Sequence, residues 1–157
     1  MPPGFDEPRL LRPDDYLDLC RFFERNNVDS VTRYFKPFPL TSETAARICL
    51  EEHKDAYFAL WREGTLVALY MLRGWDEGFA IPSFGVMIDK DWQSRGLGRW
   101  MTEAAIREAR HRGSGSLRLT VVAANVRAHA LYRALGFEET SREVRSSAEI
   151  IVMHKKL

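Results

Sequence analysis

The spacing of apolar residues changes along this chain from helical periods to strand-like runs and then alternates, and this order constrains the fold closely. Ahead of residue 55 the pattern predicts a helix capped by Asp14 or Asp15 and a second helix beginning at Thr41 or Ser42. Further along it predicts strands over 56–61, 65–72, 79–88, 117–122, 137–144 and 149–153. It predicts helices over 97–112, between the third and fourth of these strands, and over 126–135, between the fourth and fifth. Such an order predicts one α/β domain with helices on the faces of a mixed (α+β) sheet.

Length and composition set the broad class of protein. The 157 residues suit one domain, which we place at 9–157, after a flexible N-terminal arm over 1–8 that holds three prolines and a glycine. Uncharged stretches are too short to cross a bilayer and no export signal opens the chain, so we expect a cytoplasmic protein without membrane contacts. Cys20 and Cys49 have neither disulfide nor metal-ligand spacing, and we expect no metal.

A glycine-containing string stands where the predicted strand over 79–88 leads into the predicted helix over 97–112. It reads Gln93-Ser94-Arg95-Gly96-Leu97-Gly98. Glycines at a helix start let the backbone approach a ligand closely, and the unpaired N–H groups there favour a phosphate or pyrophosphate. The string lacks the third glycine of a dinucleotide-binding fingerprint and the Gly-Lys-Ser/Thr of a P-loop. Taken alone, it is equally compatible with a plain tight turn.

Positive charge is concentrated in the same part of the chain. The whole chain has a net charge of +1, yet residues 93–133 contain eight arginines and two glutamates. Such a block can hold an anionic ligand, although exposed arginines on helices also serve solubility. The low overall charge and the lack of a recognition-helix motif argue against a nucleic-acid partner.

A second string lies about thirty residues downstream, beyond one predicted helix and one predicted strand. It reads LRLTVVAANVRAHALYRALGFEE and contains Asn125, Ala128, Leu131, Tyr132, Gly136 and Phe137. Together the two strings resemble the signatures of the GNAT superfamily of acyl-CoA N-acyltransferases, over about residues 84–139. The resemblance implies a single-domain GNAT-like fold, acetyl-CoA as the co-substrate, and direct acetyl transfer without a metal.

The resemblance also assigns residues to the co-substrate. Backbone N–H groups and arginines of the glycine-containing loop would hold the pyrophosphate, and the strand before it would pair with the pantetheine arm. That strand is expected to bulge and to splay from the strand over 117–122, which opens a wedge where a backbone N–H polarises the thioester carbonyl. The expected acetyl-CoA-binding residues are Val86, Met87, Ile88, Gln93, Ser94, Arg95, Gly96, Leu97, Gly98, Arg99, Asn125 and Tyr132.

Two of these residues are expected to take part in catalysis. Tyr132 matches the family's general acid, which protonates the departing CoA thiolate, although without the motif it reads as a core tyrosine. Asn125 would bond the pantetheine or the amine, and it is also a good helix N-cap. Some family members carry a glutamate base about eleven residues before the loop, but Ile81-Pro82-Ser83 stands there in this chain. Asp76 and Glu77 are expected to be solvated, and no base is assigned.

Neither string specifies the acceptor. Aromatic and basic residues of the loop predicted over 28–40, which either bind the acceptor or seal the sheet edge, are Tyr34, Phe35, Lys36 and Phe38. We expect an N-acetyltransferase acting on a primary amine, with a small-molecule amine, amino sugar or amino acid favoured over a protein N-terminus or lysine. The alternative from another class is a non-catalytic acyl-CoA-binding regulatory module. Homodimer formation stays open.

Overall fold

The computed structural model describes residues 2–35 and 37–157, in which a seven-stranded sheet carries helices on both faces. Its strands are β1 (Arg9–Leu10), β2 (Ala56–Arg62), β3 (Thr65–Arg73), β4 (Ser83–Ile88), β5 (Ser116–Val122), β6 (Glu138–Arg145) and β7 (Ala148–Lys156). Its α-helices are α1 (Tyr16–Asn26), α2 (Asp29–Thr32), α3 (Ser42–Leu50), α4 (Leu97–His111) and α5 (Val126–Ala134). The predicted mixed α/β architecture is confirmed.

The strands are arranged in the order β1-β2-β3-β4-β5-β7-β6. Among the described strands, β4 and β5 are the one parallel pair, joined by a crossover through α4, and the other neighbours run antiparallel. Glu63 and Gly64 join β2 to β3 with φ angles of 49° and 78°, as in a tight hairpin turn. The sequence predicts a hairpin turn at these two residues, between the predicted strands over 56–61 and 65–72, and the structure confirms it.

The central strand β3 is buried on both faces and divides the core into two layers. Tyr70 and Leu72 belong to the layer that contains α4 and α5, whereas Leu69 and Met71 belong to the layer that contains α1 and α3. Because both faces are covered, β3 reads in the sequence as a continuous apolar run. We call these two sides of the sheet the α4 face and the α1 face.

α4 packs on the sheet through an apolar stripe at helical spacing. Trp100, Met101, Ala104, Ala105 and Ala109 are all buried, and they bring the first turn of the helix close to the end of β4. α4 is also the longest of the described helices, with 15 residues. No helix in the described ranges combines the length and the apolar character needed to span a membrane.

Some element bounds differ from the prediction. β4 begins at Ser83 and not at residue 79, because Gly74 and Gly78, with φ angles of 119° and 87°, first reverse the chain in a turn. The loop predicted over 28–40 contains the short helix α2. The apolar spacing of the second predicted helix extends to His53, but His53 stands beyond α3. Its two ring nitrogens lie within 2.8 Å of backbone carbonyl oxygens.

Phe5 is buried, although it lies in the segment predicted to be a flexible arm. Its ring stands edge-on to that of Trp92, with centroids 5.5 Å apart, and 6.2 Å from that of Trp100. The guanidinium of Arg62 lies 5.2 Å from the Phe5 ring centroid. A large aromatic ring gains more free energy by packing here than by remaining in water, which explains the difference at this residue.

Candidate active site

β4 pairs with β5 through its first two residues and then separates from it. Ser83 pairs with Arg118 and Phe84 with Leu119, and beyond them this edge of β4 has no partner strand in the described residues. On its other side β4 stays paired with β3 in continuous register as far as Ile88. The expected splaying of the two strands is confirmed. The expected bulge is wrong, because unbroken pairing with β3 leaves no extra residue in β4.

The separated part of β4 consists of Val86, Met87 and Ile88. Val86 and Ile88 are half-buried on the α4 face, and Met87 is buried on the α1 face. Main-chain N–H and C=O groups that face the gap can bond an extended chain, because they have lost the partner that a continuous sheet would supply. The gap is therefore suited to an extended ligand.

The loop after β4 ends at Gly96, the N-cap residue of α4. Gly96 has a φ of 83°, and none of the described side chains caps the helix there. The helix's hydrogen bonding begins with the Trp100 N–H, which donates to the Gly96 carbonyl at 3.2 Å. The N–H groups of Leu97, Gly98 and Arg99 therefore have no partner within the helix. A bare helix N-terminus of this kind favours a phosphate group.

Three arginines surround this loop. Arg127, in the first turn of α5, donates from Nη1 to Oγ of Ser94 at 2.5 Å. The guanidinium of Arg95 lies 4.7 Å from the ring centroid of Trp92, and Arg99 pairs with a glutamate one turn further along α4. Arg95 and Arg99 were among the residues predicted to bind acetyl-CoA, whereas Arg127 was counted only among the eight arginines of residues 93–133. Its place at the start of a predicted helix was the available signal.

A buried carboxylate anchors the start of the loop. Asp89 directly follows β4 and is 2% exposed, and Arg25 donates to its Oδ2 from Nη2 at 2.8 Å and from Nε at 3.1 Å. Asn26 donates to the same oxygen at 3.2 Å, and the Asp91 N–H donates to Oδ1 at 3.0 Å. Burial acts to raise the pKa of Asp89, but these hydrogen bonds outweigh it and hold the pKa below its ordinary value. The ionised group ties the loop to the end of α1.

α5 brings Tyr132 to the gap from the α4 face. Its ring is buried and nearly perpendicular to that of Phe84, with centroids 6.2 Å apart. Burial raises the pKa of Tyr132 to about 12, so the hydroxyl is protonated near neutral pH and can act as a donor. Asn125 caps α5 by accepting from the Ala128 N–H at 3.4 Å, which confirms the capping interpretation. A contact between Asn125 and acetyl-CoA stays a prediction.

The residues predicted to bind the acceptor lie in different environments in the structure. Phe35 is buried in the core of the α1 face, with its ring edge-on to that of Phe38 at 5.2 Å. Phe38 is half-buried and borders a cavity of about 400 Å³. The Tyr34 ring lies 4.8 Å from the guanidinium of Arg33. Lys36 lies outside the described residues. Phe35 thus packs in the core, and contact with an acceptor stays a prediction for Tyr34, Phe35 and Phe38.

The cavity beside Phe38 is bordered by charged groups of both signs. Asp76, predicted to be solvated, accepts from the N–H groups of Lys54 and Asp55 at 2.7 and 3.0 Å, which lowers the pKa of its carboxyl. The Asp55 carboxylate accepts in turn from the Gly74 and Asp76 N–H groups. Both carboxylates thus organise the backbone, and neither lies on β4. No group of three or more potential metal ligands occurs in residues 2–35 and 37–157.

Sequence comparison agrees with this geometry. The profile of the acetyltransferase (GNAT) family matches residues 18–137. [Ribosomal protein bS18]-alanine N-acetyltransferase of Salmonella typhimurium is 47% identical over 58 residues, which are 37% of this chain and 39% of that protein. Mycothiol acetyltransferase of Catenulispora acidiphila is 33% identical over 95 residues, which are 57% of this chain and 30% of that protein. The chain thus covers well under two thirds of the length of either relative.

Solved structures share the whole fold. A GCN5-related N-acetyltransferase from Kribbella flavida matches with a TM-score of 0.81 over 100% of both chains, at 20% identity. The ribosomal-protein-S18-alanine N-acetyltransferase from Escherichia coli matches with a TM-score of 0.73 over 96% of this chain and 92% of that one, at 24% identity. At such identities the likeness establishes the fold alone. Because the family profile covers most of the sequence, this chain belongs to the acetyltransferase (GNAT) family.

Proposed function

We propose that this protein transfers the acetyl group of acetyl-CoA directly to a primary amine, through a ternary complex. The observation that carries the proposal is the separation of β4 from β5 immediately before a helix whose N-terminus, at Gly96, is uncapped. An extended chain can pair with the free edge of β4 while its diphosphate meets the N–H groups of α4. The pantetheine and pyrophosphate of CoA follow one another in this order.

The same geometry supports an assignment of residues to acetyl-CoA. The N–H groups of Leu97, Gly98 and Arg99 bond the pyrophosphate, and Arg127, which already contacts the loop, adds positive charge. Main-chain groups over 86–88 pair with the pantetheine arm, and one of their N–H groups polarises the thioester carbonyl. The thioester then lies in the gap between the two strands, within reach of both faces of the sheet.

In the proposed reaction the amine nitrogen attacks the thioester carbonyl carbon, so that an amide bond forms as the carbon–sulfur bond breaks. Tyr132, on the α4 face, gives its proton to the departing thiolate, and the amine loses a proton to water. The demand on Tyr132 is modest, because a thiol with a pKa of about 8.5 is a good leaving group. An acceptor amine with a pKa of about 10 costs about 4 kcal/mol to deprotonate at pH 7. We therefore expect kcat/KM to rise between neutral pH and about pH 9.

Two classes of acceptor have separate support. One relative is named for the alanine of ribosomal protein bS18, which supports a protein N-terminus, and the other is named for mycothiol, a different molecule. The cavity beside Phe38, about 400 Å³ in volume, supports a small amine, an amino sugar or an amino acid. The primary amine is the part of the proposal that these alternatives share.

Calorimetric titration tests the co-substrate. We expect acetyl-CoA to bind with micromolar affinity and NAD not to bind, and Gly96→Val to weaken acetyl-CoA binding because valine disfavours the positive φ at this position. Release of CoA thiol in the presence of a panel of amines then tests turnover. Absence of acetyl-CoA binding would remove the proposed function. Binding without turnover of any amine would favour the non-catalytic regulatory module.

A further inference from the structure

Two arginines flank a serine where β4 and β5 begin to separate. Ser83 pairs with Arg73 of β3 on one side and with Arg118 of β5 on the other. Side chains of residues paired in register point to the same face of a sheet. Phe84, the next residue of β4, belongs to the α4 face together with Tyr132. The side chains of Arg73, Ser83 and Arg118, which we call the arginine row, therefore lie on the α1 face.

The arginine row has no ion-pair partner among the described carboxylates. Nη1 of Arg118 donates to Oγ of Ser83 at 3.3 Å, and Nη1 of Arg73 donates to a backbone carbonyl at 3.3 Å. Nε of Arg73 is buried without a hydrogen-bond partner in the described residues. The nearby Asp55 and Asp76 carboxylates are occupied by backbone N–H groups.

The arginine row lies on the side from which an amine can approach the gap. Tyr132 stands on the opposite face, so proton transfer to the thiolate leaves the α1 face open to the acceptor. The segment over 86–88 that is assigned to the pantetheine arm and the thioester begins three residues after Ser83 on β4, a distance of about 10 Å along an extended strand. An anionic group bound by the row is then about 10 Å from the near end of that segment. Arg73 also borders the cavity beside Phe38, which gives an acceptor room to enter.

We propose that the arginine row binds a carboxylate of the acceptor, and that the acceptor is an amine whose carboxylate lies within about 10 Å of its nitrogen, such as an amino acid. This inference rests on the proposed acetyltransferase function and names the substrate class of that site. Guanidinium forks form strong paired hydrogen bonds with an ionised carboxylate. An uncharged amide leaves the two guanidinium groups without a counter-charge, so the row selects the acidic acceptor.

The first test compares acceptors that differ only in this charge. L-Alanine, β-alanine and γ-aminobutyrate are each assayed beside the corresponding amide, by CoA release at saturating acetyl-CoA. We expect at least one carboxylate form to exceed its amide by about 10-fold or more in kcat/KM. The amine of each amide is less basic than that of the carboxylate form, so a larger fraction of it is unprotonated at a given pH. Availability of free amine therefore favours the amides and cannot produce a preference for the carboxylates. O-Phosphoethanolamine is included, and higher activity with it than with every carboxylate would overturn the carboxylate assignment.

The second test removes the charge from the protein. Arg118→Gln and Arg73→Gln are each expected to lower kcat/KM for the preferred carboxylate by about 10- to 100-fold, with the matching amide and the Kd of acetyl-CoA unchanged. Arg118→Lys restores the charge without the planar fork and should recover part of the loss. Arg133→Gln, an exposed arginine of α5 outside both sites, is the matched control and should change neither activity.

The outcomes separate this inference from the proposed function. Equal rates with acids and amides, or equal losses with both in the Arg73 and Arg118 variants, would overturn the arginine row as a carboxylate site. So would the absence of CoA release with every carboxylate while acetyl-CoA still binds. Failure of the wild-type protein to bind acetyl-CoA would instead overturn the acetyltransferase proposal itself.

Discussion

The guanidinium of Arg25, near the end of α1, donates to the buried carboxylate of Asp89, directly after β4, at 2.8 Å. The two residues are 64 positions apart, so the contact joins the first helix of the chain to the loop that precedes α4. The same Nη2 also donates to the Leu66 carbonyl at 2.8 Å. An ion pair from the α1 face thereby holds the start of the loop that precedes α4.

We expect Asp89→Asn to lower the free energy of unfolding by about 2 kcal/mol, because the amide removes the negative partner of Arg25. The loss is smaller than for a fully buried pair, since the Arg25 side chain is 35% exposed. Urea unfolding measures it. Arg21→Gln breaks the exposed pair with Asp18 and is the control, with an expected change below about 0.5 kcal/mol. Equal losses in the two variants would contradict the anchoring role.

The same pair predicts how stability depends on pH. The pKa of Asp89 is lower in the folded protein than its ordinary value of about 4, so the folded state favours the ionised group. Its contribution is fully present above about pH 4 and is lost as the pH falls through the folded-state pKa. The difference in unfolding free energy between wild type and Asp89→Asn should therefore narrow below about pH 4. If this difference in unfolding free energy stayed constant down to pH 2, it would contradict a lowered pKa of Asp89 in the folded protein.

Tyr132→Phe should lower kcat by about 100-fold and leave the Kd of acetyl-CoA unchanged, because only the proton donor is removed. Since burial raises the pKa of Tyr132 to about 12, the donor stays protonated and kcat should show no loss attributable to it below about pH 10. Tyr70→Phe, at another buried tyrosine of the α4 face, is the matched control. Similar kcat values for both variants would remove Tyr132 from catalysis.

Gly96 and Gly98 should respond differently to alanine. Gly96 has a φ of 83°, so an alanine there is strained by about 1 kcal/mol although no atom of the described residues occupies the space of its Cβ. Gly98 lies within α4, and an added Cβ would make an ordinary contact with Leu131 at 3.8 Å. We expect Gly96→Ala to destabilise the protein and weaken acetyl-CoA binding several-fold. Gly98→Ala should stabilise it by up to about 1 kcal/mol. Thermal unfolding measures the two stability changes, which should have opposite signs, and titration measures the loss of acetyl-CoA affinity in Gly96→Ala.

Phe5→Ala should weaken acetyl-CoA binding by about 5-fold, because the ring supports Trp92, the residue directly before Gln93 of the loop. It should also lower the free energy of unfolding by about 2 kcal/mol. Ile48→Ala creates a cavity on the α1 face, away from this loop, and controls for lost stability. An equal loss of affinity in Ile48→Ala would assign the effect to stability alone. Phe5→Leu should recover most of the binding.

Features that depend on the local backbone conformation were predictable from the sequence. The glycine that begins α4, the asparagine that caps α5 and the turn at Glu63-Gly64 each depend on neighbours within a few positions. Phe5 was not predictable in this way, because a proline-rich terminus carries no periodicity that indicates a packing partner. The bulge expected in β4 was wrong, since pairing with β3 decides whether an extra residue is accommodated.

The order of the elements, the uncapped glycine at the start of α4 and the motif around Tyr132 were predictable from the sequence, because they depend on contacts between near neighbours. The point where β4 and β5 separate, the face that Tyr132 occupies and the position of Arg73 and Arg118 beside Ser83 depend on contacts between distant parts of the chain, so they became known only from the folded protein. Ser83 and Arg118 are 35 positions apart, and a shift of one residue in register would move an arginine to the other face. Register is set by packing across the whole sheet, and no local pattern contains it.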